Sequence, residues 1–286
     1  MRKPVVDGIF YEKDFEDLNE QIESCFTGKK GPGALPAKRT NKIKGIIAPH
    51  AGYSFSGYCQ AWAYKEIAES KFPKRYVIIG INHMNQGENY SVSLDDFETP
   101  FGKIKNDIGF GKELMSKCKF LKNDESSHKN EHSIEVQLPF LQYVSKDKLK
   151  DLRIVPVLIS EFEYEKCKKL GWAIAEIDED TIVIVSSDFT HYGSNYGYIP
   201  FLENVKKQVY EMDSRAINAI IGLDSRKFLA HLEKTDSTIC GVGAILTGIE
   251  AFKALDSEKG HLLSYYTSGD LTNYDNAVGY AAIIFK

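Results

Sequence analysis

Short apolar runs alternate along this chain with longer stretches of helical periodicity. The apolar runs predict strands over residues 43–48, 76–81, 90–94, 152–159 and 181–186. Helical spacing predicts helices over residues 11–25, 58–69, 110–118, 162–177, 201–221, 225–233 and 242–255. Two further strands, 262–268 and 277–285, flank a turn-rich stretch and are predicted to pair antiparallel. Strands that alternate with helices indicate an α/β fold, so we expect a central mixed, largely parallel sheet flanked by helices.

Three of these segments allow more detailed predictions. The run 181–186 shows no polar alternation, which is typical of a strand buried on both faces. Pro156 lies inside the strand 152–159, and because proline lacks an N–H we expect it at a sheet edge or a bulge. The glycine-rich stretch 28–36 has the spacing of a phosphate loop, but Ala34 and Leu35 stand where that loop requires Lys and Ser or Thr. We therefore predict a surface loop there.

Composition and charge narrow the class of protein. The 286 residues, with a hydrophobic fraction of 43% and a charged fraction of 27%, fit one α/β domain over residues 1–286. No apolar run is long enough to span a bilayer, and acidic residues soon after Met1 argue against a signal peptide, so a cytoplasmic protein without a membrane partner is predicted. A net charge of −4 argues against nucleic-acid binding, which needs a basic surface.

The five cysteines are scattered and form no CxxC pair, so neither a disulfide framework nor a zinc ribbon is indicated. Four of them are interpreted as small buried apolar residues. Cys240 differs because it precedes Gly241 and the predicted helix 242–255. A thiol at a helix N-terminus has a lowered pKa, so Cys240 is a candidate metal ligand or nucleophile, with an inert core cysteine as the alternative.

Two histidines follow consecutive predicted strands. His50 stands in the segment 48–53, where Pro49 ends the strand and Gly52 allows a tight turn; His83 follows Asn82 after the next strand. In open α/β sheets, ligands bind at the carboxyl ends of the strands. Each histidine alone could be a hydrogen-bonded loop residue, but the pair places two imidazoles side by side and favours metal ligation.

Asp188 and His191 follow the strand 181–186 at the same predicted edge. An aspartate three residues before a histidine can accept the imidazole N–H, fix its tautomer and raise its basicity. We therefore predict His191 as a general acid and base with Asp188 as its orienting partner. The alternative is an aspartate that caps a helix beside a solvent-facing histidine.

His132 and Glu135 have a spacing that places both on one face of a helical turn. Glu131 and Glu135 are equally explained as acidic residues that complement a helix dipole. We place His132 at the cleft, in contact with substrate or with a metal ligand. Two histidines and a thiolate with open coordination positions suit Fe(II), Zn(II) or copper.

Taken together, four segments of the chain resemble the Memo family, and the likeness runs in order from Arg2 to Lys286. They are Ala48–Tyr53, Glu131–Glu135, Ser186–Gly193 and Cys240–Gly241. The resemblance implies a fold similar to the catalytic subunit of class III extradiol ring-cleavage dioxygenases, which use non-haem Fe(II). By position it also implies that His50, His83 and Cys240 are the metal ligands and that His191, beside Asp188, is the acid and base.

The resemblance departs from the dioxygenases at one ligand. Where those enzymes use a glutamate, this chain offers Cys240, and a thiolate changes the charge and redox behaviour of the metal. We therefore expect an iron protein, with copper or zinc as alternatives, that acts as an oxidoreductase of unknown substrate, in which His132 orients a bound oxygen or substrate group. The alternatives are a non-catalytic module that binds a peptide or small molecule in the same cleft, and a zinc hydrolase with His191 as base.

Overall fold

The computed structural model describes residues 1–286 and arranges them around one mixed sheet. Its strands are β1 (Gly45–Ala48), β2 (Arg75–Ile81), β3 (Tyr90–Val92), β4 (Phe97–Thr99), β5 (Gly102–Asn106), β6 (Lys122–Asn123), β7 (Arg153–Ile159), β8 (Thr181–Ser186), β9 (His191–Gly193), β10 (Gly260–Thr267) and β11 (Asn276–Phe285). Its helices are α1 (Phe15–Thr27), α2 (Tyr53–Glu69), α3 (Ile108–Lys117), α4 (Glu125–Lys129), α5 (Gln137–Val144), α6 (Tyr164–Ile177), α7 (Val205–Ile221), α8 (Ser225–Thr235) and α9 (Val242–Ala254).

The sheet runs in the order β10-β11-β1-β8-β2-β7-β3-β6. Its centre, β1-β8-β2-β7, is parallel throughout, whereas β11 pairs antiparallel with both β1 and β10. The predicted α/β fold with a mixed, largely parallel sheet and an antiparallel tail is therefore confirmed. Because β1, β8 and β2 are adjacent and parallel, their carboxyl ends meet at one edge of the sheet.

Each face of the sheet packs against its own layer of helices. Helices α1, α2 and α5 cover one face, and α3, α6, α7, α8 and α9 cover the other. In β8, Ile182 and Ile184 point into the first core and Val183 and Val185 into the second. All six residues of β8 are buried, as the uninterrupted apolar run predicts.

Helix α2 begins five residues earlier than its sequence predicts. Its first turns contain Gly57, which resembles a helix breaker in the sequence but is where α1 and α2 pack closely. A Cβ atom at Gly57 would lie 2.5 Å from Sγ of Cys25 in α1. The glycine thus serves helix packing rather than helix termination.

The sequence pattern missed the short elements and α5. All eight residues of α5 are buried, including Gln137 and Gln142, so the helix has no polar face to produce a helical period. Pro139 also lies inside it, but a proline in the first turn of a helix costs no hydrogen bond. Strands β4, β6 and β9 have only two or three residues, too few to show alternation.

The predicted edge position of Pro156 is wrong, because β7 lies between β2 and β3 inside the sheet. On one side β7 changes partner: residues Arg153 and Ile154 pair with β5, and Val157–Ile159 pair with β3. The carbonyl of Pro156 accepts the N–H of Ser93 on this same side. The missing N–H of Pro156 therefore falls at the junction between two partner strands, where it interrupts no regular ladder.

None of the helices is both long enough and apolar enough to cross a membrane.

Candidate metal centre

The carboxyl-end edge of the sheet carries a cluster of polar residues. His50 follows β1, His83 follows β2 and Asp188 follows β8, so three adjacent parallel strands deliver these side chains to one place. His132 comes from elsewhere, in the turn that leads from α4 into α5. That turn places a third imidazole against the two that follow strands.

One ring nitrogen from each of His50, His83 and His132 lies within 4.8 Å of the other two. The ring centroids of His83 and His132 are 4.6 Å apart in a stacked arrangement, and both rings meet His50 edge-on at 5.1 and 5.6 Å. These three histidines could hold a metal ion between them.

A single carboxylate, Glu131, orients two of the three imidazoles. Its Oε1 lies 3.0 Å from Nδ1 of His83 and 3.4 Å from Nδ1 of His132. It also accepts backbone N–H groups of His83, His132 and Ser133. With Nδ1 of each ring facing this carboxylate, Nε2 is the nitrogen left for a metal. An acid directly before His132 was visible in the sequence, but its partner His83 is 48 residues away.

Glu131 is ionised in this environment. Burial alone favours its protonated form, but the hydrogen bond from His83 and the backbone N–H donors outweigh burial and hold its pKa at about 2. A carboxylate that accepts an imidazole N–H fixes the tautomer and raises the basicity of the ring as a ligand. Glu131 thereby fixes the tautomer of His83, whereas Nδ1 of His132 lies near the same carboxylate, 3.4 Å away, without a hydrogen bond to it.

His50 is oriented by different groups. Its backbone N–H donates to Oδ1 of Asp188 at 2.8 Å, its Nδ1 lies 2.9 Å from Oγ of Ser186, and its Nε2 lies 3.2 Å from Sγ of Cys240. Burial, and then the neighbouring His83 and His132, lower its pKa well below the usual value. His50 is consequently a neutral imidazole near neutral pH.

The same reasoning applies to His132. Burial lowers its pKa to about 4, and the attraction of Glu131 only partly opposes this. A neutral imidazole keeps a lone pair for a metal, whereas an imidazolium has none. At neutral pH both His50 and His132 are therefore in the form that binds a metal.

Cys240 contacts His50 but lies outside the group of three nitrogens. Its Sγ also accepts the backbone N–H of Asp188 at 3.3 Å. The expectation of a lowered pKa was wrong: burial and then the charge of Asp188 raise the pKa of this thiol. Helix α9 begins two residues later, at Val242, and its dipole does not overcome burial. Without a metal, Cys240 is a thiol rather than a thiolate.

His191 lines the same cavity, but its orienting partner is not the expected one. Its Nδ1 lies 3.0 Å from the carbonyl oxygen of Thr238, and its backbone N–H donates to Oγ1 of Thr238. Asp188 instead accepts the N–H of His50, and burial raises the pKa of its carboxyl. Since a carbonyl can only accept, Nδ1 of His191 carries the proton and Nε2 is free.

Glu135 has a structural partner that the sequence did not reveal. It is fully buried and forms an ion pair with Arg2. It also accepts the backbone N–H groups of Val5 and Val6 and the hydroxyl of Tyr11. Its role is to fasten the N-terminal segment to the turn that carries His132.

The histidines open into a cavity of about 550 Å³. His50, His83, His132, Asp188 and His191 form one wall. The other wall includes apolar and aromatic side chains together with polar residues that lie between β10 and β11 or at the start of β11; these are Ile9, Phe10, Phe55, Tyr196, Ser268, Thr272, Asn273 and Asn276. No Lys or Arg lines the cavity. The candidate ligands therefore form part of the lining of a largely neutral pocket.

A protein-family model described as "Memo-like protein" matches residues 2–284 of this chain. Similar proteins include MEMO1 family proteins of Methanopyrus kandleri (40% identical), Pyrococcus abyssi (38%) and Nitrosopumilus maritimus (37%), each aligned over 100% of this chain and 99% of its own length. Among solved structures, an uncharacterized protein of Escherichia coli K12, JW3007, superposes with a TM-score of 0.56 at 12% identity, covering 86% of this chain and 100% of that one. That likeness concerns the fold alone.

Proposed function

The chain belongs to the Memo family, and on that premise we propose that it is a non-haem iron protein that acts as an oxidoreductase on a ligand bound in the cavity. The observation that carries the proposal is the group formed by His50, His83 and His132 on one wall of that cavity. The choice of iron, with copper as the alternative, rests on the resemblance to class III extradiol dioxygenases.

The donor set fits a transition metal. Imidazole suits iron, copper and zinc; Nδ1 of His50 and Nδ1 of His83 are each hydrogen-bonded to a neighbouring group, and Nδ1 of His132 lies 3.4 Å from Oε1 of Glu131. A metal bound about 2.0–2.1 Å from each nitrogen keeps two nitrogens within about 4.2 Å of each other. The observed limit of 4.8 Å therefore requires only small rotations of the rings, which the exposed side chain of His83 permits.

Cys240 is proposed as a further ligand beside His50. Its thiol already lies 3.2 Å from Nε2 of His50 and would lose its proton on binding a metal. A bound iron or copper ion would supply the one-electron chemistry that no side chain of this cavity can perform.

The remaining polar residues handle protons and position. His191 has its Nδ1 proton committed to Thr238, so its Nε2 can take a proton from a ligand in the cavity and return it. Asp188 fixes the backbone of His50. His132 belongs to the group of three histidines, and its ring lies 4.8 Å from that of Phe10, so it can also contact and orient a bound ligand.

The proposed ligand is a small molecule or a peptide side chain. A cavity of about 550 Å³ lies within the usual range for small-molecule sites. No Lys or Arg lines it, so an anionic group on the ligand would be bound by the metal or by neutral donors such as Asn273 and Asn276.

The test is elemental analysis of protein purified without oxygen, with the variants Cys240→Ser and His132→Asn. Cys167→Ser and His261→Asn are matched controls, since Cys167 contacts Tyr90 in the other core layer and His261 is exposed on β10. We expect close to one iron per chain in the wild type and the controls, less in both site variants, and oxygen uptake that depends on the bound iron.

Each other outcome replaces the proposal by a defined alternative. Zinc in place of iron, without oxygen uptake, would favour a hydrolase with His191 as base. Absence of any metal after reconstitution would favour a module that binds its ligand without catalysis. Iron lost only in His132→Asn would assign the third ligand to His132 and leave Cys240 outside the metal site.

A further inference from the structure

A chain of buried hydrogen bonds leads from helix α2 to His50. The hydroxyl of Tyr64 donates to Oε1 of Gln137 at 2.9 Å. Nε2 of Gln137 donates to the carbonyl of Pro49 at 2.8 Å and to Oγ of Ser186 at 2.9 Å. Tyr64, Gln137 and Ser186 are all fully buried. The chain therefore ends at the hydroxyl that faces Nδ1 of His50.

The amide of Gln137 can have only one orientation. The carbonyl of Pro49 can accept but not donate, so the atom of Gln137 that faces it must be the NH₂ group. The amide oxygen then faces Tyr64, whose hydroxyl supplies the proton. Reversing the amide would bring two acceptors together in a buried place, which costs the desolvation energy of both.

The single proton of Ser186 is also assigned. Oγ of Ser186 lies 2.6 Å from the carbonyl oxygen of Ser133, and a carbonyl oxygen cannot donate. The hydroxyl proton of Ser186 must lie between these two oxygens. Oγ can then only accept from its two other neighbours, Nε2 of Gln137 and Nδ1 of His50.

We propose that Tyr64, Gln137 and Ser186 act as positioning residues that fix His50 as the Nδ1–H tautomer and present its bare Nε2 to the metal site. A neutral imidazole has one ring N–H, so a proton on Nδ1 leaves a lone pair on Nε2. The contact of Nε2 with Cys240 agrees with this, because the thiol can donate to that lone pair at 3.2 Å. The role of Nε2 as ligand rests on the proposed function, whereas the tautomer does not.

This chain performs for His50 what Glu131 performs for His83, without a charge. A second carboxylate under His50 would be fully buried, and burying an unpaired charge is expensive. A hydroxyl held by an amide gives the same tautomer from neutral groups. Such outer partners of metal-binding histidines typically change metal affinity by about 10–100-fold when they are removed.

The tautomer can be measured in the metal-free full-length chain. Long-range ¹H–¹⁵N correlation spectra of protein labelled at histidine, at pH 7.5 after removal of metal by a chelator, distinguish a protonated from a bare ring nitrogen. His50→Gln identifies the His50 signals. We expect Nδ1 to be protonated and Nε2 bare; a proton on Nε2 overturns the inference whether or not the protein binds metal.

Two variants test the chain itself. Ser186→Ala removes the acceptor of Nδ1–H, and we expect mixed tautomers of His50 and Fe(II) affinity lowered about 10–100-fold, measured anaerobically by competition with a chelator. Unchanged affinity together with an unchanged tautomer overturns the role of Ser186. If the wild type binds no Fe(II) but shows the Nδ1–H tautomer, the proposed function fails while the tautomer assignment stands.

Tyr64→Phe keeps the packing and removes only the hydroxyl at the start of the chain, so it serves if Ser186→Ala does not fold. Tyr76→Phe is its matched control, because Tyr76 is equally buried and its hydroxyl has no hydrogen-bond partner. We expect Tyr64→Phe to disturb the His50 signals and to weaken Fe(II) binding by less than Ser186→Ala, and Tyr76→Phe to do neither. Identical behaviour of the two variants removes Tyr64 from the chain.

Discussion

The two walls of the cavity are built in different ways. We call the wall formed by His50, His83, His132, Asp188 and His191 the chemical wall. Its residues His50, His83 and Asp188 follow β1, β2 and β8, which are paired along their whole length. On the other wall, Ile9 and Phe10 belong to the N-terminal segment, and Ser268, Thr272 and Asn273 lie between β10 and β11. Hydrogen bonds between the strands of the sheet position the first wall, whereas contacts of individual side chains position the second.

Acidic residues hold the second wall in place. Glu135 fastens the N-terminal segment through Arg2, Val5 and Val6, and Asp270 accepts hydrogen bonds from Thr267, Tyr210 and Tyr274. The comparison teaches that the metal group and the shape of the pocket depend on separate contacts. Each can therefore be disrupted while the other stays intact.

The largest expected effect is that of Glu135→Ala, which breaks the second wall. Removing one partner of a buried ion pair leaves Arg2 unpaired and typically costs about 3–5 kcal/mol. We expect that loss in urea-induced unfolding, with cleavage by proteases appearing in the first eleven residues. The iron content should fall less than in Glu131→Gln, because Glu135 holds the N-terminal segment against the turn that carries His132 but is not hydrogen-bonded to any of the histidines.

The control for this variant is Glu98→Ala, which removes an exposed ion pair with Lys3 in the same part of the molecule. Exposed pairs typically contribute about 0–1 kcal/mol. A loss for Glu135→Ala no larger than that for Glu98→Ala would contradict the role assigned to Glu135.

The next effect concerns Asp213, which supports the chemical wall from α7. It accepts the backbone N–H and the hydroxyl of Thr190 and the hydroxyl of Tyr265. Burial raises its pKa from 3.8 to about 6, although these hydrogen bonds oppose the change. A carboxyl with a raised pKa in the folded protein favours folding while protonated, so its contribution is present below pH 3.8 and is lost as the pH rises through 6.

Asp213→Asn should remove the pH-dependent loss of stability that the Asp213 carboxyl causes. Between pH 4 and pH 7, we expect the free energy of unfolding of the wild type to fall relative to the variant by about 2 kcal/mol. Urea unfolding of both proteins at several pH values measures the difference. Curves that stay parallel over this range would show that Asp213 does not titrate as assigned.

Glu131→Gln disrupts the chemical wall alone. A glutamine cannot serve as the shared anionic acceptor for Nδ1 of both His83 and His132, so we expect Fe(II) affinity to fall about 10–100-fold. Glu125→Gln is the control, because Glu125 accepts from Ser93 and Leu94 and contacts no histidine. Equal Fe(II) affinities for the two variants in chelator competition would refute the role of Glu131.

The smallest effect is expected where the two walls touch, at the edge-on contact between Phe10 and His132. Aromatic contacts of this kind contribute about 0.5–1.5 kcal/mol beyond the burial of their area. Phe10→Ala removes this contact together with partly buried apolar area, so it should lower the free energy of unfolding by at least about 0.5–1.5 kcal/mol, with Fe(II) affinity within about twofold of the wild type. Phe55→Ala, on the same wall, is the control. A larger loss of iron in Phe10→Ala than in Phe55→Ala would mean that the walls are coupled.

The fold was largely predictable because its central strands are short, apolar and separated by helices with a clear period. The run 181–186 became β8 with the predicted bounds. The pattern failed where burial is complete or elements are very short, as in α5, which has no exposed face, and in β4, β6 and β9. The alternation of polar and apolar residues reflects which side chains are exposed to water, and these elements show no such alternation.

The sequence by itself determined that His50, His83 and Asp188 meet, because residues that follow adjacent parallel strands share one edge of the sheet. Only the tertiary structure decided that His132 completes the group, that Glu131 and Ser186 orient the imidazoles, and that Thr238 rather than Asp188 faces His191. These contacts join residues 47 to 136 positions apart, apart from those within the turn 131–133. Hydrogen-bond partners over such distances are set by how the chain packs, which no local pattern encodes.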